Sequence, residues 1–351
     1  MAEFICGIQQ VGIGTDNLDK DWKWYRKTFS MDISIFVDEA EAPLMTQYTG
    51  NKVQNRVAAL AMNMQGGGGF EIWQYKSRKP QPADFDIKMG DHGFLAVKLK
   101  TTDAEKSYSD LKARGVQMLT QPKNNSAGKK NFYAQDPAGN WFNVVEAGTY
   151  FKDEQNPTGG VFGAVIGVSD MDRSIAFYKD LLGFDLILAD STGFQDDLKG
   201  VSENIEYRRV ILGQSSQEIG PFNPLLGTNQ IELIQRIDGK GRKIFADRFW
   251  GDLGFIHLCF DVRRMSGLKE KAAELGYPFT VDSADSFDMG KAAGRFGYVE
   301  DPDGALIEFV ETHKLPIVEK WGWFLDLKKR KQGKSLPKWL LKCFRFNRVK
   351  N

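Results

Sequence analysis

The chain of 351 residues has 42% hydrophobic residues, 26% charged residues and a net charge of +1. This ordinary globular composition excludes a disordered or collagen-like chain, and the length predicts two domains of ordinary size. We find no apolar run long enough for a membrane span and no secretion-signal pattern, so a cytoplasmic location is expected. Three widely spaced cysteines, Cys6, Cys259 and Cys343, argue against a disulfide framework or a cysteine zinc site.

The chain begins with a pattern that returns near its middle. From Gln10 and again from Gly163, an alternating strand is followed by a polar turn and an amphipathic helix. Each helix ends near an aromatic pair, at residues 24–25 and 177–178. This internal similarity predicts a repeated structural unit.

A second pair of segments ends in nearly identical turns. The motif Asp-Pro-x-Gly, followed by an apolar strand, occupies residues 136–146 and recurs 165 residues later at 301–311. Pro fixes its own φ and Gly accepts a positive φ, so the motif predicts a tight turn. Strands that begin at His92 and His257 have the same separation. We therefore expect four strand–helix–strands units, at 5–80, 88–150, 158–240 and 250–314.

The units are expected to pair, because one unit is too small to close a core of its own. A polar, turn-rich linker at 153–160 separates two halves. These features predict a first domain at 1–152, a second at 158–315 and a C-terminal extension at 316–351.

The C-terminal extension is basic and aromatic. Between residues 321 and 351 there are ten Lys or Arg and one acidic residue, interleaved with Trp and Phe. Two interpretations remain open: the aromatic side chains pack onto the body, or they make weak contact with an anionic membrane surface. Nucleic acid is not expected as a partner, and the sequence leaves the oligomeric state open.

The opening strands and the two Asp-Pro-x-Gly endings resemble the vicinal oxygen chelate superfamily of glyoxalases, bleomycin resistance proteins and extradiol dioxygenases. The resemblance covers roughly residues 5 to 314. It implies an α+β fold in which four βαβββ modules pair into two cupped mixed sheets. It also implies a small-molecule substrate and a divalent metal ion, with Zn, Ni, Co, Mn or Fe as candidates. The fold alone does not name the reaction.

In this superfamily the metal ligands come from the first strand and a late strand of each unit. Carried over by local motif, the positions in units one to four are Gln10 and Glu71, His92 and Asn143, Gly163 and Glu232, and His257 and Glu308. If each half pairs its own units, both sites lack one good ligand.

If unit one instead pairs with unit four, as in fused glyoxalase I proteins, the ligands are Gln10, Glu71, His257 and Glu308. The companion site then has two gaps and is expected to hold no metal. Both pairings remain open, and the complete ligand set favours the second. Gln9 weakens the assignment of Gln10, because strand alternation places only one of the two inside.

The complete set predicts a metal-dependent lyase or isomerase of the glyoxalase type that acts on a small molecule with vicinal oxygens. Glu308 or Glu71 would act as the base. One alternative is a non-catalytic binding or resistance protein. The other is a non-haem iron dioxygenase, which needs a second histidine; His313 is the only spare one. The four glycines at 66–69 lack the Lys-Ser or Lys-Thr of a phosphate loop, so they predict a flexible hairpin.

Overall fold

The computed structural model describes residues 5–350, except for 203, 217–218, 285–286, 290–291, 319–320, 329 and 331–332. Four modules follow one another, and each consists of a strand, a helix and further strands. The first contains β1 (Ile5–Gly14), α1 (Leu18–Phe29), β2 (Ile33–Glu41), β3 (Asn55–Met62) and β4 (Gly69–Tyr75), with a 3-10 helix at Pro43–Tyr48. The second contains β5 (Gly93–Thr101), α2 (Ala104–Ala113), β6 (Gln117–Met118), β7 (Lys123–Asn124), β8 (Lys130–Gln135) and β9 (Trp141–Glu146).

The third and fourth modules repeat this order with longer connections. The third contains β10 (Val161–Gly167), α3 (Met171–Asp180), β11 (Leu186–Gly193), β12 (Tyr207–Gly213), α4 (Asn223–Leu226) and β13 (Gln230–Arg236), with a 3-10 turn at Asp196–Leu198. The fourth contains β14 (Gly254–Val262), α5 (Met265–Glu274), β15 (Val281–Asp282), β16 (Phe287–Met289), β17 (Ala292–Glu300) and β18 (Leu306–Val318). The predicted α+β architecture of four modules in two curled mixed sheets is confirmed.

The two sheets combine modules from different halves of the sequence. The first sheet has the order β15-β17-β18-β14-β1-β4-β3-β2, and the second has the order β11-β12-β13-β10-β5-β9-β8-β6. Antiparallel pairing of β1 with β14 joins modules one and four, and antiparallel pairing of β10 with β5 joins modules two and three. The structure therefore adopts the second of the two pairings that the sequence left open.

A core to which both sheets contribute lies between them. The largest cluster of buried apolar residues takes members from both sheets and from α1, α2, α3 and α5. Two equivalent hydrogen bonds cross between the sheets: the Tyr25 hydroxyl donates to Asp136 at 2.6 Å and the Tyr178 hydroxyl donates to Asp301 at 3.0 Å. Each aspartate begins one of the Asp-Pro-x-Gly turns, so these turns connect the helix of one module to the next module.

The four glycines at 66–69 connect the antiparallel strands β3 and β4 as the predicted hairpin, but they are buried. The amide of Gly67 donates to the Leu225 carbonyl at 2.8 Å, and the amide of Gly68 donates to the Val161 carbonyl at 2.6 Å. A Cβ on Gly67, which has a φ of +106°, would lie 2.6 Å from the backbone carbon of Gly160. The segment is glycine-rich because two backbones approach each other closely here.

The C-terminal extension packs on the first sheet. It contains β19 (Trp323–Asp326), which pairs with β18, then α6 (Lys338–Lys342) and a 3-10 helix at Cys343–Asn347. Seven apolar side chains in the described part of the extension are buried: Ile317, Val318, Leu327, Leu336, Leu340, Leu341 and Phe344. Trp321 and Trp339 remain 70% and 63% exposed. Among the described helices, none has the length and hydrophobicity that crossing a bilayer requires.

Candidate metal centre

Glu71, His257 and Glu308 meet on one face of the first sheet. They lie in β4, β14 and β18; β4 and β14 flank β1, and β18 is the next strand after β14 in the same sheet. The Nε2 atom of His257 is 3.1 Å from Oε2 of Glu71 and 3.2 Å from Oε2 of Glu308. One ligand atom from each residue lies within 4.8 Å of the others, and all three residues are buried. Among the described residues, these three are the one group of His, Cys, Asp and Glu side chains that lie close enough together to hold a metal ion.

Gln10 joins this group from β1. Its Nε2 donates to Oε2 of Glu71 at 3.1 Å, and its buried Oε1 accepts no hydrogen bond from any described residue. The expectation that only one of Gln9 and Gln10 faces inward is wrong, because both side chains line the same cavity. A register shift in β1 between Ile8 and Gln10 interrupts the strict alternation of the strand.

Several polar atoms of the group are buried without a partner. Among the described atoms, His257 Nε2 and Glu308 Oε2 form no hydrogen bond, although they lie only 3.2 Å apart. Buried polar atoms without partners are costly. A divalent ion with oxygen and imidazole ligands would satisfy them together, so the donor set fits such an ion.

The charges of the group also favour a bound cation. The pKa of Glu308 is raised to about 7, chiefly by burial and also by the charge of Glu71, while the charge of His257 opposes the shift. Burial acts to lower the pKa of His257, but the two carboxylates outweigh it and the net shift is upward. Two buried carboxylates therefore repel each other unless a positive charge lies between them.

The ring of His257 is held from its other side. The indole Nε1–H of Trp250 donates to its Nδ1 at 3.4 Å, and the hydroxyl of Tyr298 lies 3.5 Å from the same atom. Burial raises the pKa of Tyr298 well above its usual value, so the phenol is neutral. To bind a metal ion through Nε2 the ring must carry its proton on Nδ1; that proton can go to the Tyr298 hydroxyl, and the hydrogen bond from Trp250 is then lost. Neither Tyr298 nor Trp250 was predicted from the sequence.

A cavity of about 280 Å³ opens beside Glu71 and Glu308. Apolar side chains from several elements make up most of its wall, including Ile35, Phe36, Leu60, Met62, Phe222, Leu225, Leu226 and Phe344. Module three contributes the segment around α4, and the C-terminal extension contributes Phe344. The two arginines of the wall are already paired: Arg56 with Asp38 at 2.8 Å and Arg295 with Asp282 at 2.7 Å.

The equivalent position of the second sheet is built differently. In the first sheet Gly14 pairs with Gly254, and in the second sheet Gly167 pairs with Gly93 in the same way. Three residues further along the partner strand, the first sheet has His257 and the second has Ala96. The alignment of His92 with His257 is therefore wrong. Between the start of its opening strand and its Asp-Pro-x-Gly turn, module four has four more residues than module two. The offset of 165 residues that relates the two turns therefore does not relate the two opening strands. His92 lies before β5, and its backbone bonds to Arg242 and Ile244.

Glu232 of the second sheet binds cationic side chains. Nζ of Lys98 donates to it at 2.5 Å and Nε of Arg209 donates at 2.8 Å, while Arg209 also pairs with Asp197 at 2.7 Å. All four side chains are buried. Although burial opposes it, the charges of Arg209 and Lys98 hold the pKa of Glu232 at about 2. The other predicted companion residues are Gly163, which has no side chain, and Asn143, which donates to Asn131 at 2.7 Å.

Comparisons with known proteins agree with this architecture. The model of the Glyoxalase/Bleomycin resistance protein/Dioxygenase superfamily matches residues 7–144 and 162–309. Glyoxalase I from Zea mays is 16% identical to this chain in sequence. Its crystal structure matches with a TM-score of 0.52, over 87% of this chain and 92% of that one. A putative dioxygenase from Bacillus subtilis is 13% identical, with a TM-score of 0.53 over 88% and 86% of the two chains. These identities establish a shared fold only, and no curated protein sequence matches the chain.

Proposed function

The chain belongs to the Glyoxalase/Bleomycin resistance protein/Dioxygenase superfamily, and we propose that it is a metal-dependent lyase or isomerase acting on a small molecule with two neighbouring oxygens. The observation that carries the proposal is the buried group of Glu71, His257 and Glu308 beside an apolar cavity. Gln10 would complete the ligand set through its free Oε1. When bound, a divalent ion supplies Lewis acidity toward the two substrate oxygens and so acidifies the adjacent C–H bond.

Glu308 is the better candidate for the base of this reaction. Glu71 accepts a hydrogen bond from Gln10, whereas Oε2 of Glu308 has no hydrogen-bond partner among the described residues. Burial raises the pKa of Glu308, which counteracts the fall that a nearby cation causes and keeps the carboxylate basic. Glu308 would take a proton from the substrate carbon. Return of that proton to the adjacent carbon gives an isomerisation, and loss of a leaving group gives an elimination.

The cavity supports a substrate with an apolar body. Its wall is mostly apolar and both of its arginines are paired with aspartates, so no unpaired guanidinium among the described residues awaits an anionic substrate here. The apolar wall would also exclude water from the group that exchanges the proton.

The same cavity favours one alternative, a protein that binds an apolar molecule without converting it. The iron dioxygenase alternative receives less support, because such sites use two histidines and one carboxylate. The group in this chain has one histidine; His313 lies outside it on β18, with its Nε2 3.9 Å from Oε2 of Glu311.

Two measurements on the full chain test the proposal. Metal-free protein is loaded separately with Zn²⁺, Ni²⁺, Co²⁺, Mn²⁺ or Fe²⁺, and bound metal is measured; we expect about one ion per chain. Candidate substrates, among them hydrophobic α-hydroxycarbonyl compounds and methylglyoxal hemithioacetals, are then incubated in D₂O, and deuterium incorporation is followed by NMR. Incorporation by metal-loaded protein supports proton transfer.

Glu308→Gln should abolish deuterium incorporation and weaken metal binding by at least about tenfold. The matched control is Glu105→Gln, which changes an exposed carboxylate paired with Lys130 and should alter neither readout. Failure of the parent chain to bind any of these ions contradicts the proposal. Metal-free protein that binds apolar ligands without proton exchange supports the binding-protein alternative.

A further inference from the structure

A second cavity, of about 190 Å³, lies between β18 and the C-terminal extension. Five basic side chains line it: Arg263, His313, Lys328, Arg330 and Lys334. Arg263 follows β14, His313 lies in β18, and the other three follow β19. The C-terminal extension therefore supplies three of the five, and none of them belongs to the metal centre.

The carboxylate that lines this cavity already accepts hydrogen bonds from backbone amides. Glu311 is the carboxylate among the described lining residues, and it accepts hydrogen bonds from the backbone amides of Arg264 at 3.0 Å and Met265 at 3.4 Å. These amides lie at the start of α5, where a carboxylate is favourable. The pKa of His313 is lowered, first by burial and then by the positive charges of Lys328 and Arg263. The cavity therefore has a positive potential.

Arg263 forms the buried part of this cavity. Its side chain is only 7% exposed, and its Nη1 donates to the carbonyls of Val262 at 3.2 Å and Thr312 at 3.3 Å. Among the described residues, no atom accepts a hydrogen bond from its buried Nη2. The buried carboxyl group of Asp261 acts on it electrostatically; burial raises its pKa to about 6, so it is mostly ionised at neutral pH, but it forms no hydrogen bond with Nη2. A buried guanidinium N–H without an acceptor is costly unless a ligand supplies one.

We propose that this cavity binds a phosphate group. Its oxygens would accept hydrogen bonds from Nη2 of Arg263 at the base, while Lys328, Arg330 and Lys334 at the exposed rim supply further positive charge. A phosphate suits the site because its several oxygens and double negative charge match several cationic donors. The group can be free phosphate, a phosphorylated small molecule or the headgroup of an anionic lipid. The site is separate from the proposed reaction and does not depend on it.

The first test is calorimetric titration of the full chain with inorganic phosphate, at an ionic strength held constant with chloride. We expect saturable binding that the double variant Arg330→Gln/Lys334→Gln weakens by about tenfold or more. The matched control is Lys338→Gln/Lys342→Gln, which removes two positive charges from the same extension but from residues outside the cavity wall. Arg263→Lys keeps the charge but loses the second guanidinium N–H, and it should also weaken binding.

A second arm distinguishes the source of the phosphate. Sedimentation with phosphatidylcholine vesicles that contain phosphatidic acid reports lipid binding, and competition by free phosphate assigns it to the cavity. Binding of free phosphate without vesicle binding identifies a soluble ligand. The proposal is overturned if phosphate binds no more tightly than chloride. It is also overturned if the rim variant and the matched control weaken binding equally.

Discussion

Gly12 of β1 lies directly opposite His257 of β14, and the imidazole occupies the space that a side chain at position 12 would fill. A Cβ on Gly12 would lie 2.5 Å from Cε1 and 2.6 Å from Nε2 of His257. The second sheet has the reverse combination at the equivalent positions, where Val165 pairs with Ala96. Each pair therefore combines one small residue with one larger residue, and only the first pair presents an imidazole to the cluster.

We expect Gly12→Ala to weaken metal binding by at least about tenfold, which corresponds to about 1.4 kcal/mol. The added methyl group must displace the ring of His257, and Nε2 moves with it. The measurement is metal affinity by competition with a chelator. The control is Gly12→Val/His257→Ala, which copies the second sheet and should fold well without binding the ion. Unchanged affinity in Gly12→Ala would show that Nε2 is not a ligand.

Lys98→Met should destabilise the protein by about 3 kcal/mol or more. The buried carboxylate of Glu232 would lose one of its two cationic partners and keep only Arg209. Urea unfolding of the metal-free protein measures this change. Lys98→Met/Glu232→Gln removes the unbalanced charge and should recover part of the loss. The number of bound ions should stay the same in both variants. Equal stability of Lys98→Met and the parent would rule out a structural role for this ion pair.

Metal affinity should rise with pH up to about 7 and then level off. In the metal-free protein the pKa of Glu308 is raised to about 7, so below this pH an incoming ion must displace a proton. The stability of the metal-free protein depends on pH in the opposite sense. Because the pKa of Glu308 is higher in the folded state, its contribution to stability is fully present below pH 4.5 and is lost as the pH rises through about 7.

Chelator competition between pH 5 and 8 measures this dependence; affinity should change by at least about tenfold per pH unit on the acidic side, because His257, whose pKa is also raised, must lose its proton as well. In Glu308→Gln the dependence should become shallower, because one titrating group has been removed. A parent protein whose metal affinity is constant over this range would contradict the assignment of Glu308 as a ligand.

Leu60→Trp should reduce the binding of uncharged apolar molecules without removing the metal ion. Leu60 is the cross-strand partner of Glu71 and lines the same cavity, so a larger ring there occupies ligand space. Nile red fluorescence measures apolar binding, and elemental analysis measures the ion. Leu186→Trp, at a 42% exposed position of β11, is the matched control. If both variants bind the dye like the parent, the cavity is not the apolar site.

Membrane contact by residues 321–351 remains a prediction, and it is best tested without truncation because Phe344 lines the cavity. Trp321→Ala/Trp339→Ala removes two exposed rings and keeps every positive charge. If the extension contacts membranes, the parent sediments with anionic vesicles and the variant does so more weakly. Val37→Ala, an exposed apolar change elsewhere, is the control. A parent chain that stays in the supernatant ends the membrane hypothesis.

Much of this molecule follows from local sequence pattern. The repeated strand–helix starts and the paired Asp-Pro-x-Gly turns predicted four modules, because turn geometry and helix capping depend on neighbouring residues. Similarity to a known superfamily placed Gln10, Glu71, His257 and Glu308 in the candidate ligand set. The buried ion pair of Lys98 and Glu232 was not predicted, because nothing local identifies two residues on separate strands as partners.

Tertiary structure alone decided which modules share a sheet. Strands pair through backbone groups that every residue carries, so β1 and β14 have no local signal that identifies them as partners across some 250 residues. The same limit explains the register errors at His92 and Gln9, where unequal module lengths and a shift in strand pairing moved side chains between positions. The sequence by itself supplied the chemical groups, and the pairing of distant strands determined which of them meet.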